Sequence, residues 1–182
     1  SGVTLDRFCG GGISAVNMAA ASIMSGMEDL VVAGGVEMMS YVAAEGIPTP
    51  LDAHNTDLRD RHPQTNVGIA ADIIATQEGF SRLELDAFSA ESQRRAGLAM
   101  QAGAFAKSLI PVYRPDGTLA LDDEEFPRPQ TTAESLAKLQ PVFGNFMDLP
   151  FYDSGLTFRE MVAKHWPGLD IEHVHHAGSS SG

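Results

Sequence analysis

Asp6-Arg7-Phe8-Cys9-Gly10-Gly11-Gly12-Ile13-Ser14-Ala15-Val16-Asn17-Met18-Ala19-Ala20 is the stretch on which the fold turns. Behind it lies a strand-like segment carrying Val3 and Leu5. Ahead of it, Ile13, Val16, Ala20, Ile23 and Met24 recur at helical spacing among small residues, which predicts a helix over 13–25 with Gly26 placed to end it. That helix is apolar nearly all round, so burial is expected. Leu30-Val31-Val32-Ala33, closed by Gly34-Gly35, is a short continuous apolar run of the kind found in a central strand covered on both faces. Strand, helix and strand in that order predict a βαβ unit in an α/β layer.

Cys9 sits where the first strand would end and the helix begin. The first amides of a helix have no intrahelical partner, and the dipole places about half a positive charge there, so a thiolate at that end is stabilised. The three glycines that follow let a substrate come close to the backbone. A lone cysteine is more often a small buried hydrophobe; its neighbours make Cys9 the candidate nucleophile.

Composition narrows the function classes. With 43% hydrophobic and 20% charged residues, the 182-residue chain lies in the range of folded globular proteins. Twelve Lys and Arg stand against 24 Asp and Glu, a net charge of −12, which repels nucleic acid and anionic membrane surfaces at long range. An anionic ligand must therefore be held by local groups. No apolar run approaches the ~20 residues that span a bilayer. The single cysteine excludes an internal disulfide and, with eight methionines, fits a reducing compartment, read as the cytoplasm. Ser1 at one end and the Gly/Ser-rich stretch to Gly182 at the other are read as the ends of an internal piece of a longer protein.

A change of character after Met38-Met39-Ser40 places a domain boundary near residue 41. Beyond it a short helix is expected over Ile69–Gln77. A stronger one opens at Ser81, whose Ser-x-x-Glu pattern with Glu84 is a capping box. Leu85, Phe88, Ser92 and Ala96 would form its inner face, and Gly103 its end. Leu109–Tyr113 and Leu119–Leu121 read as strands around the Pro115-Asp116-Gly117 turn, followed by Asp122–Glu125 as a solvated edge. Thr131-x-x-Glu134 and Thr157-x-x-Glu160 predict two more capped helices, through Lys138 and His165, with Phe143–Gly155 between them as an aromatic loop. Adjacent His175 and His176 in an extended segment would point to opposite faces, which argues against a metal site.

The segment Asp6–Ala20, followed by Ile23-x-x-Gly26 and Val32-Ala33-Gly34-Gly35-Val36-Glu37-Met38-Met39-Ser40, closely resembles the nucleophile region of the thiolase family. Phe80-Ser81-Arg82, Asp86-Ala87-Phe88, Glu91-Ser92-Gln93 and Lys138-Leu139-Gln140-Pro141-Val142-Phe143 resemble landmarks of that family's loop domain. Ala177-Gly178-Ser179-Ser180-Ser181-Gly182 is similar to the stretch that returns to the core. The resemblance implies two α/β halves in αβαβα layers with a loop domain inserted in the first half. Residues 1–41 would be part of the N-terminal core, 42–174 the coenzyme A-binding loop domain, and 175–182 the return. It implies that Cys9 takes up the acyl group of an acyl-CoA as a thioester. Arg128 and Ser135 would meet the coenzyme's nucleotide end, Ala177 and Ser181 its pantetheine arm, and Leu58 would line the same groove. It also implies coenzyme A as substrate with no permanently bound cofactor, fatty acid metabolism as the setting, and a homodimer or homotetramer.

Departures from the family pattern are visible. Val67-Gly68 stands where related thiolases often have Met-Gly, Asn66 replaces a histidine of biosynthetic members, and residues 144–172 form a longer connection that would reshape the substrate mouth or cover a subunit contact. The family's Gly-His-Pro histidine, second cysteine and Asn-Glu motif all lie beyond the point corresponding to Gly182, so the chain alone is expected to be catalytically incomplete. The alternatives are a noncatalytic acyl-CoA-binding or assembly module, and a ketoacyl synthase. The Glu37-Met38-Met39-Ser40 ending and the long loop domain favour thiolase over the latter.

Overall fold

The computed structural model describes residues 2–38, 41, 52 and 54–179. The chain divides into two compact units, Ser1–Thr49 and Pro50–Gly182. The boundary expected near residue 41 lies in a stretch of which only Tyr41 is described.

In the first unit a 3₁₀ turn at Phe8–Gly10 leads directly into α1, Gly11–Met24. The amides of Ser25 and Gly26 donate back to the carbonyls of Ala21 and Ile23, and Gly26 takes φ +74°, which costs glycine no side-chain clash. The helix thus ends as expected and starts two residues earlier. Its expected burial, and the strand expected over Leu30–Ala33, are corrected by the structure. No residue of α1 is buried, Ile13 being 70% and Met24 87% exposed. Residues 30–33 pair with no neighbour among the described residues, and Val32 is 93% exposed. An apolar helix and a central strand need layers on both sides and a neighbour for every backbone amide, and the described residues of this unit supply no such layers around α1 or residues 30–33.

The second unit has its own core. Four helices open it in order: α2, Thr56–Arg61, capped by Asn55; α3, Val67–Glu78, capped by Asn66 and ended by Gly79 at φ +72°; α4, Arg82–Gln101; and, after a hairpin, α5, Ala133–Leu136. The box at Ser81 and Glu84 is present in both directions, as is the box of Thr157 and Glu160 that opens α6, Phe158–His165. The third expected box is shifted by one residue. Thr132 and Ser135, not Thr131 and Glu134, cap α5, which stops at Leu136 rather than Lys138.

The hairpin pairs β1, Val112–Tyr113, antiparallel with β2, Leu119–Leu121, so the expected strand from Leu109 shortens to two residues. All five of its residues are exposed, as is the acidic run Asp122–Glu125 that follows. This two-stranded ribbon is the only sheet among the described residues. The α/β expectation therefore holds only in part, and the described chain is mostly helical.

The aromatic segment read as a loop is instead the core of this unit. Ile69 and Ile73 of α3, Met147 and Phe151, and Phe158, Met161 and Val162 of α6 are buried together, with Phe143, Phe146 and Trp166 packed at the edge. Phe151 meets Phe158 edge-on at 5.2 Å. A Cβ on Gly68 would lie 2.1 Å from the Phe143 ring, so only glycine lets that ring close over α3. Arg59 of α2, 5% exposed, donates to both oxygens of Asp52 at 2.6 and 2.8 Å and also to Asp153. Its guanidinium lies 5.7 Å from the Phe151 ring centre. Among the described residues no helix is long and apolar enough to cross a membrane.

Candidate functional site

Cys9 stands at the tip of the 3₁₀ turn, exposed. Phe8 before it has φ +49°, a left-handed conformation unusual for a bulky side chain. Local bonds hold it there. The Phe8 amide donates to Asp6 Oδ1 at 3.0 Å, and the amides of Gly10 and Gly11 donate to the carbonyls of Arg7 and Phe8. Arg7 in turn donates to Ser14 Oγ at 2.8 Å, fastening the turn to the first coil of α1. A Cβ on Gly11 or Gly12 would meet nothing within 4 Å, and one on Gly35 would come 3.9 Å from Gly12 Cα. The thiol therefore projects beside open backbone at a helix start, a geometry suited to attack on a carbonyl carbon. Residues 1–49 contain no histidine, so no imidazole of this unit can serve as its base.

The other expected site residues are in the second unit, except Ser181, which lies outside the described residues. Arg128 is exposed, and its guanidinium makes no hydrogen bond or ion pair among the described residues. Its backbone is tied down instead: the Arg128 amide donates to Gln93 Oε1 at 2.6 Å. Next to it Pro129 rests on Gly97 of α4, where a Cβ would lie 2.3 Å from the proline ring. Ser135 Oγ accepts from the Thr132 amide at 3.1 Å and donates to the Thr132 carbonyl at 2.7 Å, so it has a structural duty in the α5 cap. Ala177 is exposed, and Gly178 beside it lies against Leu136, whose side chain would be 2.5 Å from a Cβ there. Arg128, Ser135 and Ala177 are thus gathered along α4 and α5. Leu58 is not brought to them: its neighbours Arg59 and Asp60 bond Asp153 and Lys164.

Sequence reasoning missed the two buried carboxylates that hold this arrangement. Asp72 of α3, fully buried, accepts from the ring nitrogens of His173 and His175 at 2.7 Å each. It also accepts from the amides of Val174 and His175 at 3.1 and 3.0 Å. Asp86 of α4, 1% exposed, accepts from Arg82 Nε at 2.9 and 3.0 Å and from His176 Nε2 at 2.7 Å. His175 and His176 bond different carboxylates, Asp72 and Asp86. The available signal was an aspartate between Ile69 and Ile73 in an apolar helix, since a buried charge requires partners. Among the described residues no group of three or more His, Cys, Asp or Glu side chains is placed to hold a metal ion.

The thiolase N-terminal domain family matches residues 1–146. An acetyl-CoA acetyltransferase of Thiocystis violacea is 36% identical over 156 residues, 78% of this chain and 39% of the relative. A beta-ketoadipyl-CoA thiolase of Pseudomonas knackmussii is 39% identical over 160 residues, 79% of this chain and 40% of the relative. The crystal structure of the dimeric peroxisomal thiolase of Saccharomyces cerevisiae superposes with a TM-score of 0.65 at 33% identity, covering 76% of this chain and 36% of that one. The chain spans about two fifths of the length of the curated relatives it matches.

Proposed function

The chain belongs to the thiolase family, and on that premise we propose that it is the nucleophile-bearing part of an acyl-CoA acyltransferase that works through an acyl-enzyme on Cys9. The Cys9 sulfur attacks the thioester carbonyl of an acyl-CoA, the acyl–sulfur bond to the coenzyme breaks, and coenzyme A leaves as a thiol once protonated. In condensation the new thioester passes its acyl group to the α-carbon of a second acyl-CoA, which gives up a proton. In cleavage Cys9 instead attacks the 3-keto carbon of a 3-ketoacyl-CoA, the C2–C3 bond breaks, acetyl-CoA leaves once its α-carbon is protonated, and free coenzyme A takes the remaining acyl group from Cys9. Coenzyme A is substrate and product, not a resident group. Arg128 and Ser135 take its nucleotide end and Ala177 and Ser181 its pantetheine arm. The base, the α-proton acceptor and the oxyanion-hole donors come from outside these 182 residues, and the working form is a homo-oligomer in a reducing compartment.

The observation that carries this reading is the exposed thiol held at a helix start by the left-handed Phe8 and flanked by glycines with open space around them. Incubating the intact natural protein with acetyl-CoA, followed by peptide mass mapping, is the test. One acetyl group is expected on the peptide carrying Cys9 and none in Cys9→Ser. Acetylation undiminished by that substitution would show that the nucleophile lies elsewhere. Coenzyme A binding without any acyl transfer would favour a noncatalytic acyl-CoA-binding module.

A further inference from the structure

We propose that His176, held by Asp86, is a positioning residue for the pantetheine arm of coenzyme A: it fixes the loop Ala177–Ser179 as a preformed contact surface. The inference rests on the reading above that Ala177 meets that arm.

His176 is fully buried, and all its polar atoms are engaged. The Gly178 amide, which can only donate, points at Nδ1 from 2.9 Å. That nitrogen is therefore the acceptor and Nε2 carries the hydrogen, which it donates to Asp86. The His176 amide donates to Ser179 Oγ at 3.0 Å, and the Ser179 amide donates back to the His176 carbonyl at 3.0 Å. Four consecutive residues are thus folded around one imidazole whose orientation is set by a buried carboxylate.

Asp86 acts in two directions. It also fixes Arg82, whose outer nitrogen donates to the carbonyls of Leu136 and Leu139, the latter at 2.8 Å, where α5 ends. Gly178 lies against Leu136. One carboxylate on α4 therefore holds the loop bearing Ala177 on one side and the helix bearing Ser135 on the other. A ligand that meets an ordered loop loses less entropy on binding, so breaking the His176 link should weaken recognition of the arm while leaving the nucleotide end untouched.

The test is calorimetric titration of the intact natural protein with coenzyme A and, separately, with adenosine 3′,5′-bisphosphate, which lacks the arm. His176→Phe removes both ring bonds. Expected is a loss of about tenfold in coenzyme A affinity, the size of one or two net hydrogen bonds, with bisphosphate affinity within about twofold of wild type. His176→Gln carries a donor and an acceptor on one carbon, as the imidazole does across Cε1, and should keep coenzyme A affinity within about twofold. Should the phenylalanine variant not fold, His176→Asn, which can meet Gly178 but falls short of Asp86, should show the same selective loss. Unchanged coenzyme A affinity in these variants overturns the proposal, as does equal weakening of both ligands or failure of glutamine to restore binding. Ala177→Leu separates the two levels. If it weakens coenzyme A binding while His176→Phe does not, the loop reading stands and the positioning role falls; if neither does, both fall.

Discussion

Replacing Asp72 with alanine should destabilise the second unit by about 3–5 kcal/mol, the range for removing one partner of a buried charged network. The magnitude follows from what the carboxylate does. It is wholly buried and accepts four hydrogen bonds, two from imidazoles and two from backbone amides, all between 2.7 and 3.1 Å. Bonds to a charged group contribute ~1.5–3 kcal/mol each, and their sum overshoots because the freed imidazoles, 22% and 12% exposed, can turn to water. The Val174 and His175 amides keep no such outlet. Asp72→Asn retains one acceptor oxygen but turns an NH₂ group toward donors, so about 2 kcal/mol is expected. Since whole domains are stable by only ~5–15 kcal/mol, the alanine variant should lose a large share of its stability. The assay is urea unfolding followed through Trp166, the one tryptophan of the sequence, which packs at the edge of this core. An alanine variant within 1 kcal/mol of wild type at an unchanged m-value would refute the reasoning that these four bonds fasten residues 173–175 to α3.

Two further outcomes are expected. Arg128→Ala should raise the KM for acyl-CoA more than it lowers kcat, as loss of uniform binding does; Gly97→Ala, whose Cβ would strike Pro129, should act the same way and also destabilise by ~1–3 kcal/mol through overpacking. In acid, hydrogen bonding from Arg59 holds the carboxyls of Asp52 and Asp153 below their ordinary 3.8, Asp153 to about 2, with His54 adding to the effect on Asp153. Lowered values mean stability that is complete above the unfolded pKa and lost as pH falls through the folded one. Unfolding midpoints should therefore drop between about pH 4 and pH 2, less steeply in Asp153→Asn, and an identical pH profile in that variant would contradict the assignment.

What was legible in the sequence was what neighbouring residues decide among themselves. The caps at Ser81 and Thr157, and the helix end at Gly26, need only residues within one turn, and each is where local chemistry puts it. The α5 cap shows how narrow that margin is. Thr131 with Glu134 and Thr132 with Ser135 both fit a capping pattern, and the structure takes the second, which leaves Leu136 buried where Gly178 lies against it. The inner face of α4 was illegible because its partners are remote. Phe88, expected inside, is 78% exposed, while Asp86 is buried by a histidine 90 residues away. The candidate site divides in the same way. Cys9 declares itself through adjacent glycines, whereas the support of Arg128 by Gln93 and Gly97 depends on a helix more than thirty residues earlier in the chain.

The bare apolar surface of α1 also has a consequence in time. A polypeptide emerges from the ribosome N-terminus first at ~5–20 residues per second, so α1 is outside the ribosome while most of the chain is still being made. The first unit offers Ile13, Val16 and Met24 no cover of its own. Through that interval these side chains face water beside an unpaired segment carrying Val32 and Val36, both 93% exposed, a combination that attracts other nascent chains. Charged substitutions at Ile13, Val16 or Met24 should weaken that attraction, and with it aggregation during synthesis.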